Sequence, residues 1–219
     1  MTKNIYEFNE KIHTIIINPY LSKEDIDEKC NVVKKYNIKN ISTTLNFLEN
    51  IRDKINNQEL NINVLLSYPF GDLPANFIKE LILYANDAGA NGIEYIPNFL
   101  SLSEKGDDIF ASELENIFDS ELPITLIFNK TKLTKEIFER AINIALEIGI
   151  TRFQFGDGFG APISSSDMEE IVKLLGKNFF IKIVGGIRNL EQVIGLFNLG
   201  ADCIGTANLH EIFKEIKSG

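Results

Sequence analysis

The chain has 219 residues, 44% of them hydrophobic and 24% charged. That is the balance of a globular protein large enough to bury about 70% of its unfolded surface without disulfide or metal staples. Its formal charge of −9, with lysines interspersed among Glu and Asp, argues against nucleic acid or an anionic membrane as partner. Residues Met1 to Glu7 lack the apolar core of a secretion signal, and no uninterrupted apolar run spans a bilayer, so the expected location is cytoplasmic.

Eight short apolar runs recur along the chain: His13–Asn18, Asn40–Thr44, Asn63–Tyr68, Gly92–Asn98, Ile124–Asn129, Thr151–Asp157, Phe179–Gly185 and Asp202–Thr206. They are rich in Ile, Val, Leu and Phe, as strands covered on both faces are. Most gaps between them carry helix signals. Ser22 before Lys-Glu-Asp is an N-cap with acids in the first turn, and Thr134, Ser166 and Asn189 stand before comparable stretches. Gly89, Gly149 and Gly200 each follow a helical stretch and precede the next strand, the position of a left-handed helix terminator. Strand–helix alternation demands parallel pairing, and eight units in this length predict one α/β domain over residues 1–219, a (β/α)₈ barrel of the TIM type. The competing open sheet would begin with a glycine-rich turn, whereas the first strand here runs into Asn18-Pro19-Tyr20-Leu21.

In such a barrel the chemistry lies at the C-terminal ends of the strands. Lys182 stands between Ile181 and Ile183, so alternation turns it into the barrel. Desolvation disfavours a charged amine, and a neutral amine is a nucleophile; the bland alternative is an ion-paired core lysine. Gly185-Gly186 and Arg188 follow it, and Gly205 and Asn208 flank the start of the last helix. Both places suit an anion approached by backbone amides. Gln154-Phe155-Gly156-Asp157-Gly158-Phe159-Gly160 reads as a tight loop at the mouth. Glu94, in mid-strand, is either structural or catalytic, with Lys182 as its natural partner across the barrel. Two histidines and two cysteines match no metal spacing, so neither metal nor cofactor is expected. Cys30 and Cys203 read as buried thiols.

Taken in order, these segments resemble the deoxyribose-phosphate aldolase family. Tyr68-Pro69-Phe70-Gly71 is similar to its Phe-Pro-x-Gly turn, and Glu94 to Asn98 to its Asp-Met-Val-Ile-Asn strand. Gly158-Phe159 matches the end of Lys-Thr-Ser-Thr-Gly-Phe, Lys182 to Arg188 its Lys-Ala-Ser-Gly-Gly-Ile-Arg, and Ile204-Gly205-Thr206 its Ile-Gly-Thr-Ser. The resemblance implies a class I aldolase in which a lysine on the sixth strand forms a Schiff base. A second lysine on the seventh strand, here Lys182, supports it, and an acid on the fourth, here Glu94, moves protons. The loops after strands six to eight, here with Gly158, Gly185, Gly186, Arg188, Gly205 and Asn208, hold a phosphate. The sixth-strand lysine is replaced by Gln154, which makes no imine. The family's acid before His-Thr is Ile12, an inward lysine is Thr125, Ser-Ser is Ala207-Asn208, and Ser-Thr is Gly156-Asp157. A carboxylate at Asp157 would repel a phosphate by about 1–4 kcal/mol.

Three functions follow as expectations. The first is a diverged carbon–carbon lyase on a small carbonyl substrate, with Lys182 as the Schiff-base residue and Glu94 or Asp157 as proton carrier. The second is an isomerase, cyclase or dehydratase in which Lys182 acts as a fixed cation and Glu94 or Asp157 as base. The third is an inactive binder of a small molecule. The retained glycines argue for a phosphorylated substrate and Asp157 against one, so the sequence leaves that open. Barrels of this kind commonly pair, so a homodimer is one expectation, and the sequence leaves the oligomeric state open.

Overall fold

The computed structural model describes residues 5–55, 59–159, 161–176 and 178–218; Met1 to Asn4 and Gly160 lie outside them. After α1 (Ile5–Lys11), eight strands alternate with helices. They are β1 (Ile12–Ile16), β2 (Asn40–Thr43), β3 (Asn61–Leu66), β4 (Gly92–Tyr95), β5 (Ile124–Phe128), β6 (Arg152–Phe155), β7 (Phe180–Val184) and β8 (Cys203–Thr206). Between them lie α2 (Lys23–Tyr36), α3 (Leu45–Lys54), α4 (Ala75–Asp87), α5 (Phe99–Lys105) and α6 (Asp107–Phe118), then α7 (Lys135–Ile148), α8 (Ser165–Leu175) and α9 (Leu190–Asn198). The helix α10 (Leu209–Ser218) ends the series. All neighbouring strands are parallel, and β1 pairs with β8 as well as β2, so the sheet closes into a (β/α)₈ barrel.

The ends of these elements follow from local chemistry. Ser22 and Ser164 each form a capping box, with Asp25 and Asp167 reciprocating. The second of these corrects the expectation for Ser166, which lies inside α8; Asp167 sits three residues after Ser164, the spacing the box requires. Thr134 and Asn189 cap α7 and α9 as expected. The third strand stops at Leu66 instead of Tyr68, because Ser67 adopts a left-handed φ of 56° and begins a turn whose carbonyl accepts from the Gly71 amide. The fourth stops at Tyr95, two residues before Pro97, which has no amide to donate to a ladder.

Strand alternation sorts the side chains into two environments. Outward positions such as Ile41, Val64, Ile93, Phe128, Phe153 and Ile183 join the main apolar core beneath the helices. Phe128 is fully buried at its centre, with ring centroids of Phe99, Phe138, Phe153 and Phe155 5.4–6.1 Å away. Inward positions differ along the barrel axis. Towards the strand starts and middle they are polar: Asn40, Ser42, Asn63, Glu94, Gln154 and Lys182. Towards the C-terminal ends Leu65, Ile96 and Ile127 form a separate apolar cluster, flanked by Ile17, Tyr68 and Phe99. Truncating Phe128 to Ala removes the hub of the aromatic cluster and leaves a cavity, so unfolding in urea should show a loss of about 3–5 kcal/mol with an unchanged denaturant slope.

Candidate active site

Lys182 and Glu94 are each 1% exposed, and both project into the barrel. The Lys182 Nζ lies 2.5 Å from Glu94 Oε1 and donates to Ser42 Oγ at 2.8 Å. Ser42 donates to the same Glu94 oxygen at 2.8 Å, and Asn63 Nδ2 donates to it at 3.2 Å. His13 Nδ1 stands 3.3 Å from Ser42 Oγ and 3.7 Å from Glu94 Oε1. Side chains from four other strands thus converge on one carboxylate oxygen of β4. The space for this comes partly from Gly205: a Cβ there would lie 3.1 Å from Lys182 Cε and 2.7 Å from Val184 Cγ2.

A buried charge is tolerated only when it is paired and hydrogen-bonded, and both conditions hold. Burial works against ionisation of Glu94, but the Lys182 charge and the His13 contact outweigh it and hold the carboxyl below the usual carboxylate range. Burial, together with the Lys182 charge, pushes His13 down to about 4, so its ring is neutral at neutral pH. Cys203 is a free thiol at the same depth, pushed up to about 12 by burial.

Gln154 is the register neighbour of Lys182, on the adjacent strand. Its Nε2 donates to the Gly156 carbonyl at 3.1 Å, while its Oε1 is buried without a hydrogen-bond partner among the described residues. Asp157 lies apart from the lysine. Its Oδ1 accepts from Asn129 at 2.6 Å and from the Phe159 amide at 2.8 Å, and its Oδ2 from Lys132 at 3.0 Å. Tyr68 adds a hydrogen bond to the Asp157 carbonyl at 2.7 Å. The acid is thus built into the loop after β6. Gly185 and Gly186, after β7, face Gly158 and Pro162 of that loop, and Arg188 is exposed beyond them. Asn208 ties β8 to β7, with Nδ2 donating to the Ile187 carbonyl at 3.1 Å.

The site therefore brings together Lys182, Glu94 and Gln154 but holds Asp157 in a separate network. Sequence reasoning missed His13, Ser42 and Asn63. Their signal was the polar alternation of Asn40-Ile41-Ser42 and Asn61-Ile62-Asn63, which marks an inward polar face. A polar cavity of about 280 Å³ at the strand starts reaches this layer from the opposite end, against His13, Asn63, Arg152 and Cys203. A larger apolar groove, about 360 Å³, lies between α4 and α6, far from these groups.

A histidine held at about 4 in the fold stays neutral while the unfolded chain, at 6.5, takes up a proton. Stability then falls as pH drops through that window. Glu94, depressed from 4.5, adds its own loss below that value. Urea unfolding should show a His13 contribution of about 2–3 kcal/mol lost between pH 7 and 4.5, and His13→Gln should flatten that part of the profile. An equally steep decline in the variant would contradict this assignment.

No family model matches the chain. It is 24% identical over 204 residues to the deoxyribose-phosphate aldolase of Lactobacillus acidophilus, covering 90% of this chain and 85% of that protein. It is 25% identical over 219 residues to that of Mycoplasmopsis pulmonis, covering 97% and 99%. Among solved structures, an aldolase designated QR15 superposes with a TM-score of 0.86 at 20% identity, covering 98% of this chain and 96% of that one. The tetrameric deoxyribose phosphate aldolase of Aeropyrum pernix gives 0.84 at 16%, covering 100% and 94%. The structural likeness carries the fold, and the sequence likeness runs through nearly the whole chain. The chain is similar in sequence to deoxyribose-phosphate aldolases along nearly its whole length and shares their barrel fold.

Proposed function

We propose that the chain, as one domain over residues 1–219, is an aldolase-type carbon–carbon lyase acting on a small carbonyl compound, with Lys182 as the Schiff-base amine. The observation that carries this reading is a wholly buried lysine paired at 2.5 Å with a wholly buried carboxylate, beside the position where the resembled family has its reactive lysine.

The chemistry uses Glu94 as the proton carrier. Glu94 takes a proton from Lys182, which replaces a buried ion pair by two neutral groups and so relieves part of its desolvation cost. The free amine adds to the carbonyl carbon. Glu94 returns the proton to the carbinolamine hydroxyl, which leaves as water and gives an iminium. The carboxylate next removes the proton of the substrate's β-hydroxyl. The bond between the α and β carbons breaks, its electron pair moves into the iminium, and an aldehyde departs from an enamine. Glu94 protonates the enamine carbon, and one water releases the second carbonyl product and restores the ammonium. The water lost in the first half is regained in the second.

In this reading Asp157 positions the loop after β6, through Asn129 and Lys132, and Gln154 contacts the substrate. Gly158, Gly185, Gly186, Arg188, Gly205 and Asn208 frame the mouth. No helix among the described residues is long and apolar enough to cross a membrane, and a cytoplasmic setting goes with the proposal. So does self-association, homodimeric here, since the Aeropyrum pernix neighbour is described as a tetramer.

Borohydride trapping with a panel of short aldehydes, followed by peptide mass mapping, should place a reduced adduct on Lys182. Lys182→Arg should abolish the adduct and lower lyase turnover by roughly 10³-fold, about 4 kcal/mol in the barrier. Partial activity in that variant without an adduct would favour the fixed-cation role instead. No adduct across the panel would remove the Schiff-base reading.

A further inference from the structure

We infer that the polar cavity at the strand starts is a binding site for a small monocarboxylate, gripped by the guanidinium of Arg152. The cavity lies at the end of the barrel opposite the strand ends, and the inference does not depend on the lyase reading above.

The first observation is an arginine without a counter-ion. Arg152 opens β6 and lines the cavity, half-buried. Its Nε reaches Thr125 Oγ1 at 3.4 Å, a long contact, and its two Nη groups have no hydrogen-bond or ion-pair partner among the described residues. Burial lowers its pKa, and the charges of Glu94 and Asp202 offset only part of that loss. A buried or half-buried cation left in this state gains from a bound anion.

The second observation is that the guanidinium is already oriented. Its Cζ lies 4.0 Å from the centre of the Phe180 ring. Stacking fixes the plane and leaves the Nη donors on its edge free, and that edge matches a carboxylate through two parallel hydrogen bonds. Asn91 supplies a neutral donor to the same cavity: its Oδ1 accepts from the Ile62 amide at 2.9 Å, while its Nδ2 has no partner among the described residues.

The third is the size and charge of the space. The cavity holds about 280 Å³ and shares Asn40, Asn61 and Asn91 with an adjoining hollow of about 440 Å³. Its inner wall is neutral near pH 7, because burial holds His13 at about 4 and pushes Cys203 up to about 12. The Glu94 charge beyond His13 is matched by Lys182. Two acids, Glu10 and Asp202, are exposed at the rim, and Asp202 Oδ2 accepts from the Ile181 amide at 2.8 Å. One unpaired cation behind two rim acids suits a single negative charge. A dianion would gain the same arginine and meet twice the repulsion.

The test uses the full chain at neutral pH with three probes: propionate, its neutral isostere propionamide, and sulfate. Binding is read by NMR titration of the ring nitrogens of His13, which lines the cavity; the chain has two histidines, and His210→Gln assigns them. We expect propionate to shift the His13 signals with a Kd of about 1 mM or tighter, at least about tenfold tighter than sulfate, and propionamide to give no saturable shift. Arg152→Met keeps a side chain over Phe180 and is expected to weaken propionate at least about tenfold. Should that variant fail to fold, Arg152→Lys, which keeps the charge without the fork, is expected to weaken it about threefold or more. Unmoved His13 signals, propionate no tighter than sulfate or propionamide, or undiminished binding in the arginine variants would overturn the inference.

Discussion

The barrel is organised around one buried charge pair. Lys182 sits in mid-strand with two isoleucines turned to the helices, so its ammonium has nowhere to go but the interior. An unpaired charge there would be very costly, and Glu94 removes that cost only because Ser42, Asn63 and His13 complete its shell. The requirement spreads through the sheet. Short polar side chains occupy the inward positions of β2 and β3, and Gly205 on β8 leaves room for the lysine's carbon stem. The outward faces of the same strands stay apolar and carry the helices, so the polar layer does not weaken the main core.

The resulting interior has a polar middle and an apolar upper end, and this division shapes the chemistry. In the proposed chemistry Lys182 would have its proton carrier at hand, since Glu94 is already in hydrogen-bond contact with the amine. Above it Leu65, Ile96 and Ile127 pack together as a small apolar cluster. Gln154, where relatives are expected to have their nucleophile, offers an acceptor in place of an amine. In the loop after β6 the acid Asp157 is bound internally by Asn129 and Lys132, which fixes the loop.

Much of this was legible in the sequence. Strand–helix alternation predicts the closed barrel, and strand parity alone turns Lys182 inward, so Glu94 emerges as its partner. The polar shell was not read, because Ser42 and Asn63 look like ordinary strand residues unless the twofold alternation around them is followed. Strand ends were misplaced where local conformation overrides hydropathy, at left-handed Ser67 and before Pro97. In the sequence the retained glycines stand where backbone amides could approach an anion. Only the structure shows that Gly186 is confined by Pro162, and Gly205 by Val184, Ile15 and Lys182, because the contacts that confine them join residues distant in sequence.

The central claim, that the reactive centre is the Lys182 amine paired with Glu94, is tested most directly by a crystal structure of the protein reduced with borohydride in the presence of a short aldehyde. The account predicts continuous density from Lys182 Nζ, with the Glu94 carboxylate beside the adduct. Density attached to another lysine, or an unmodified Lys182 still paired with Glu94, would contradict it.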